Sequence, residues 1–241
     1  MATKEDVRKV HNAIESGDIE TVKEMISSGA VDVNEFDSIS SFLHTAATFN
    51  QIEIAKFLIE KGIDVNMLNH TGLTALSRAV RKGNFEMVKL LCESGAKLDV
   101  STSENNPLFY AGSCHQEEIA QYLVDKGIDI YKTYHIGDME NCDAYSWARK
   151  WGDLSVPAIV AKKERAEKKL FEMTLHNDGK EIFDFLSSKH GYLVTYNSFD
   201  EIPENNITVL CKIDGKIYCG AFIRRLLINH NLRGVSFSVV Q

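Results

Sequence analysis

The sequence predicts an all-α array of about five helix-turn-helix repeats over residues 1–165, followed by a small α+β domain over residues 171–241. Three observations point there. A pair of small residues ahead of a turn recurs at a near-constant interval. An amphipathic segment closed by glycine recurs in the same phase. Beyond about residue 170 both patterns give way to short β-branched runs separated by turn residues.

The first series is Ala13-Ile14-Glu15-Ser16-Gly17, Ala46-Ala47-Thr48-Phe49-Asn50, Ala79-Val80-Arg81-Lys82-Gly83, Ala111-Gly112-Ser113-Cys114-His115 and Ala148-Arg149-Lys150-Trp151-Gly152, at steps of 33, 33, 32 and 37 residues. The second is IETVKEMISSG, IEIAKFLIEKG, FEMVKLLCESG and EEIAQYLVDKG, in which Gly29, Gly62, Gly95 and Gly127 stand where a left-handed helix C-cap belongs. Two short helices cannot bury their own apolar face, so each unit must stack on the next. Small residues such as Ala46, Ala79 and Ala111 allow the close approach that stacking needs.

This pattern resembles the ankyrin-repeat family over residues 4–165. The family's T-P-L-H-x-A-A-x-x-G reads here as Thr74-Ala75-Leu76-Ser77-Arg78-Ala79-Val80-Arg81-Lys82-Gly83. It reads again in Ser41-Phe42-Leu43-His44-Thr45-Ala46-Ala47 and in Asn106-Pro107-Leu108-Phe109-Tyr110-Ala111-Gly112. The resemblance implies an ankyrin-repeat solenoid whose first unit is short, like a capping repeat. It also implies that His44 hydrogen-bonds loop backbone. The fifth unit departs most: YHIGDMENC is inserted before Asp143-Ala144-Tyr145-Ser146-Trp147-Ala148, and Pro157 fits only the first turn of the second helix.

After residue 165 no family is recognised. The run KKERAEKK at 162–169 alternates sign and reads as a solvated helical face. A short helix is expected near 180–188, and strands over 192–196, 207–213, 216–223 and 235–240. Asp214-Gly215 signals a hairpin. A two-residue turn pairs Ile213 with Lys216 and Cys211 with Tyr218, which puts Cys211 and Cys219 on opposite faces; a bulged turn would bring them together. At roughly 70 residues this unit is marginal alone and is expected to dock on the last repeat.

Lys and Arg number 27 against 34 Asp and Glu, a net charge of −7, which disfavours nucleic acid and anionic membrane as partners. No run approaches the roughly 20 apolar residues of a membrane helix, and the first residues lack the apolar core of a signal peptide. Five cysteines without a CxxC pair read as reduced thiols of a cytoplasmic protein. Phosphate-binding, dinucleotide, serine-hydrolase and zinc motifs are missing, so no cofactor and no metal are expected. An enzyme remains the alternative reading, with a Cys/His pair drawn from His176, Asp178, His190, Cys211, Cys219 and His230 and the repeats selecting the substrate.

In the ankyrin fold the outward positions of the first helix and the tips between repeats face one concave side. Helical spacing from the small pair gives those positions as Asn12, Glu15 and Ser16; Thr45, Thr48 and Phe49; Arg78, Arg81 and Lys82; Tyr110, Ser113 and Cys114; and Trp147, Lys150 and Trp151. The tips add Phe36, His70, Tyr131, Tyr134 and His135. From these, Phe49, His70, Arg78, Arg81, Lys82, Tyr110, Tyr131, Tyr134, Trp147, Lys150 and Trp151 form the candidate partner-binding set. It holds both tryptophans and four cations of an acidic chain, the composition of a protein-binding hot spot that meets an acidic surface. Two plainer readings compete: the tryptophans pack under the C-terminal unit, or the cations are merely solvated. The function expected is capture of a protein partner without catalysis, as a neutralising inhibitor or immunity protein, or as a bacterial or viral effector of a host protein.

Overall fold

The computed structural model describes residues 2–37, 39–167, 169–175, 193–195, 210–214, 216–229 and 235–240. The chain divides into two compact units, Met1–Ile128 and Asp129–Gln241.

The first unit consists of four helical pairs: α1 (Lys4–Ser16) with α2 (Ile19–Ser27), α3 (Phe42–Phe49) with α4 (Ile52–Glu60), α5 (Ala75–Lys82) with α6 (Phe85–Glu93), and α7 (Pro107–Ser113) with α8 (Glu117–Asp125). α1, α3, α5 and α7 pack as one row, and α2, α4, α6 and α8 as a second. A single turn design joins each pair. Gly17, Asn50, Gly83 and His115 have φ of 77°, 56°, 71° and 56°. The next N–H then reaches back to the alanine of the repeat: Asp18 to Ala13 (2.8 Å), Gln51 to Ala46 (2.9 Å), Asn84 to Ala79 (3.0 Å) and Gln116 to Ala111 (2.8 Å). That six-to-one bond satisfies a carbonyl the helix end would otherwise orphan. The same alanines have no side chain to hold rows apart, and Ala46, Ala79 and Ala111 are fully buried.

Side chains lock one pair to the next. Asn34 donates to the Gly62 carbonyl (3.3 Å) and accepts from the Asp64 N–H (2.8 Å). Asn66 does the same one repeat later with Gly95 (3.1 Å) and Lys97 (2.8 Å). His44 accepts from the Ser41 hydroxyl (2.7 Å) and donates from Nε2 to the Leu73 carbonyl (2.8 Å), the backbone role its place in the repeat implied. Burial pushes its pKa below the ordinary histidine value, which keeps the ring neutral for this pair of bonds.

The second unit opens with a hairpin, β1 (Tyr134–Ile136) and β2 (Met139–Cys142), formed by the YHIGDMENC insertion. A fifth helical pair follows, α9 (Ala144–Lys150) and α10 (Ser155–Glu167), joined by the same turn: Gly152 has φ 78° and Asp153 N–H bonds the Ala148 carbonyl at 3.0 Å. Then come β3 (Leu170–Leu175), β4 (Leu193–Thr195), β5 (Leu210–Ile213), β6 (Lys216–Gly220), α11 (Ala221–Asn229) and β7 (Val235–Val239). The sheet order is β4-β5-β6-β3-β7, antiparallel except for β4 beside β5.

The β5–β6 register is the one a two-residue turn demands. Ile213 faces Lys216 and Cys211 faces Tyr218, so the thiols of Cys211 and Cys219 lie on opposite faces and both are free. Two expectations need correction. The strand foreseen over 216–223 stops at Gly220, and Ala221 starts a helix whose Ile223, Leu227 and Ile228 share a buried side. The alternating run is not wholly solvated, because Glu164 within it is 4% exposed. The contacts divide the chain after Ile128, which groups α9 and α10 with the sheet. The helix expected at 180–188 lies outside the described residues, while the strands expected at 192–196 and 207–213 are present over their described parts as β4 and β5.

The turn glycines give a direct test. A Cβ on Gly83 would meet the Gln116 amide at 2.7 Å, whereas on Gly62 (φ 87°) it would meet nothing within 4 Å. Gly62→Ala should cost about 1 kcal/mol from backbone conformation alone, and Gly83→Ala about 2 kcal/mol. Urea unfolding followed by circular dichroism checks the order; equal losses would mean that the Gln116 contact is harmless.

Candidate functional site

In the first unit, geometry separates the outward residues. Asn12, Glu15 and Ser16 are exposed. Thr45 is not: it is 7% exposed, with its hydroxyl 2.7 Å from His11 Nδ1 on the neighbouring helix. Thr48 donates to the His44 carbonyl (2.8 Å) within its own helix. Phe49, at the end of α3, is 47% exposed. Arg78 is half-buried, while Arg81 and Lys82 are exposed in the last turn of α5, where the helix dipole favours positive charge. The Arg81 guanidinium lies 5.2 Å from the centre of the Tyr110 ring on α7. Burial pushes the Tyr110 phenol above its ordinary pKa, partly offset by Arg81, so it remains an uncharged donor.

His70 is exposed, and both its backbone N–H (3.1 Å) and its Nδ1 (2.9 Å) bond the Ile39 carbonyl. It therefore pins the tip of the preceding repeat. Phe36, Ile39 and Leu68 lie exposed on these tips; Phe36 was named as a tip residue, and none of the three was in the candidate partner-binding set.

In the second unit Tyr131 is a core residue, not a tip. It is 9% exposed, its hydroxyl donates to Glu167 at 2.6 Å, and its ring packs on Phe171 at 5.1 Å. Tyr134 is half-buried in β1 and His135 is exposed beside it. On α9 the rings of Trp147 and Trp151 meet edge to face at 5.8 Å, and Lys150 Nζ stands 5.9 Å from the Trp147 ring. Trp151 is 53% exposed, so it is not covered by the sheet-bearing segment; Trp147 is half-buried.

What holds α9 in place escaped the sequence reading altogether. Arg224 and Arg225 of α11 are buried against Asp143, the N-cap of α9, and Glu164 of α10. Arg224 Nη1 lies 3.2 Å from Asp143 and 3.3 Å from Glu164, and its Nη2 donates to the Tyr131 carbonyl at 3.1 Å. Arg225 bonds Asp143 at 2.6 Å and also Glu164. The Arg224 guanidinium also lies over Phe171 (4.9 Å), and that of Arg225 over Tyr145 (4.1 Å). Two cations and two anions thus cancel inside the unit. Burial alone would raise the Asp143 carboxyl, but Arg225, Arg224 and the Ser146 N–H overcome it and hold the pKa below the usual range. Glu164 lacks the helix N–H, and there burial wins and raises it.

Burial raises the thiol of Cys211, and that of Cys219 far more, so neither is poised as a nucleophile. Their proposed partners His176, Asp178, His190 and His230 lie outside the described residues. Among the described residues no three His, Cys, Asp or Glu side chains converge as a metal site, and no helix is long and apolar enough to cross a membrane.

Comparison with known proteins fits the helical pairs. The family model for ankyrin repeats (three copies) matches residues 8–69 and 43–134, together more than half of the chain. Palmitoyltransferase AKR1 of Lachancea kluyveri is 32% identical over 158 residues, which is 63% of this chain and 21% of that protein. Ankyrin repeat and KH domain-containing protein mask-1 of Caenorhabditis elegans is 33% identical over 39% of this chain and 4% of its own length. Putative ankyrin repeat protein FPV014 of Fowlpox virus is 30% identical over 50% of this chain and 28% of its own length. The chain spans less than a third of each of these relatives.

The unequal carboxylates make a prediction. Both tryptophans of the chain, Trp147 and Trp151, lie in the second unit, so tryptophan fluorescence reports its unfolding separately. Asp143→Asn should destabilise it by about 3–5 kcal/mol, and Glu164→Gln by clearly less. Because the folded Asp143 pKa is depressed, its contribution is full above the ordinary carboxylate value and is lost as pH falls through the lower folded one. Denaturant titrations at neutral and strongly acidic pH test both statements; equal losses in the two variants would refute the unequal division.

Proposed function

Because this chain belongs to the ankyrin-repeat family, we propose that it is a non-catalytic module that captures a protein partner on its inner helices, with α9–α10 as the fifth of five repeats. Ankyrin repeats are protein-interaction modules, and repeat stacking leaves the ends of the inner helices free to vary. The observation that supports capture is what occupies those ends. Phe49 is a large apolar ring left 47% exposed, beside exposed Arg81 and Lys82 in an acidic chain. A rigid aromatic flanked by cations is the composition of an interface centre rather than of ordinary surface. In the second unit Trp151 and Lys150 repeat that composition.

Capture of this kind serves a dedicated neutralising inhibitor or immunity protein as well as an effector that binds a host protein. The enzyme reading has less support, since the thiols it would use are buried and protonated.

The test is affinity purification of the tagged full chain from its native source, followed by calorimetry with each partner recovered. Saturable binding with one partner is expected, weakened about tenfold by Phe49→Ala. The absence of any saturable partner would sink the reading.

A further inference from the structure

The cations of the first unit are not all alike. On the outer row, Lys23, Lys56 and Lys89 recur every 33 residues on α2, α4 and α6, and each pairs with the glutamate one turn earlier. The distances are 3.4 Å to Glu20, 2.8 Å to Glu53 and 2.9 Å to Glu86. On the inner row, α3, α5 and α7 carry no Asp or Glu at all. Arg78, Arg81 and Lys82 of α5 have no ion-pair partner among the described residues, and Arg81 rests on the Tyr110 ring instead. Glu104, in the loop before α7, bears on Tyr110, as Arg81 and Arg78 do with the opposite sign. The helix dipole accounts for Arg81 and Lys82 at the C-terminal turn, but Arg78, a turn earlier, gains nothing from it.

Three cations clustered on one inner helix, with no acid on it or on the two inner helices beside it, make a local positive surface that an outside carboxylate can match. Resting on the capture reading above, we propose that α5 and its neighbours bind an acidic protein segment, with carboxylates on Arg78, Arg81 and Lys82 and an apolar side chain on Phe49. Phe49 occupies on α3 the place that Lys82 occupies on α5, so the apolar and cationic contacts lie side by side on adjacent helices. Polyanionic nucleic acid fits less well. Three cations confined to one helix neutralise few phosphates, Glu15 holds the matching end of α1, and the net charge of −7 opposes approach. A short acidic segment needs only a local positive field, and that field is unscreened by any acid on the three helices.

The full chain is titrated with two fluorescent synthetic peptides of equal length, one rich in Glu and Asp around a single Leu, the other its Gln and Asn counterpart. Oligothymidine serves as competitor. The acidic peptide is expected to bind saturably, about tenfold or more tighter than the amide peptide, and to weaken several-fold as salt rises. Arg81→Glu with Lys82→Glu should abolish the preference, while Lys56→Glu, on the self-neutralised outer row, should keep it; circular dichroism confirms that each variant is folded. Equal binding of the two peptides, a preference that survives the double reversal, or tighter binding of oligothymidine would each overturn the proposal. The native partner distinguishes this from the capture reading. A partner that binds saturably but ignores both salt and the double reversal refutes the acidic segment alone, whereas no saturable partner refutes capture itself.

Discussion

Two adjacent guanidiniums sealed from water with two carboxylates govern the second unit. Removing four charges from solvent costs several kcal/mol per ion, and the arrangement is tolerable only when every charge finds its opposite. Four elements supply the groups: the Tyr131 carbonyl ahead of β1, Asp143 at the head of α9, Glu164 on α10, and the arginine pair on α11. No element can slide without leaving a charge exposed to apolar surroundings. The quartet therefore sets the register of the last helical pair against the sheet helix. It also explains why contacts group α9 and α10 with residues far along the chain. Even so it is not perfectly satisfied, since Nε of both arginines has no hydrogen-bond partner among the described residues. Specific geometry, more than net stabilisation, is what such a cluster supplies.

The first unit is held by the opposite strategy. Its bonds are short in sequence or span one repeat: the six-to-one turn onto alanine, the Asn34 and Asn66 bridges, and the His44 bond to Leu73. Each repeat contacts only its neighbours, so stability accumulates as a sum of similar interfaces. A loss such as that at Gly83 stays local, whereas loss of one charge in the quartet disturbs four elements together.

That difference decides what could be read from the sequence. The alanine and glycine series were legible because turn geometry acts within six residues and leaves a fixed spacing. The β5–β6 register was legible for the same reason, since only two residues separate Ile213 from its partner Lys216. Tyr131 was misplaced because its fate depends on Arg224, 93 residues later. Glu164 hid inside an alternating run, where nothing local marks one acid as buried. Thr45 fell between helices because its partner is His11, 34 residues earlier. The helix α11 was missed because a short apolar run after β6 suits strand and helix alike. One signal was available there: two consecutive arginines inside AFIRRLLIN, an apolar setting that no pair of cations occupies without anions to meet them.

The same accounting of charge links architecture to recognition. In the second unit each buried cation meets its anion inside the fold, and on the outer helices of the first unit each recurring lysine meets a glutamate one turn away. Against that background the three cations of α5 stand together on one helix, with no acid on that helix or on the two inner helices that flank it. Stacking already satisfies the backbone and the apolar faces there, so folding does not need those charges. A partner that brings carboxylates would complete on α5 what Glu20, Glu53 and Glu86 complete for their own helices.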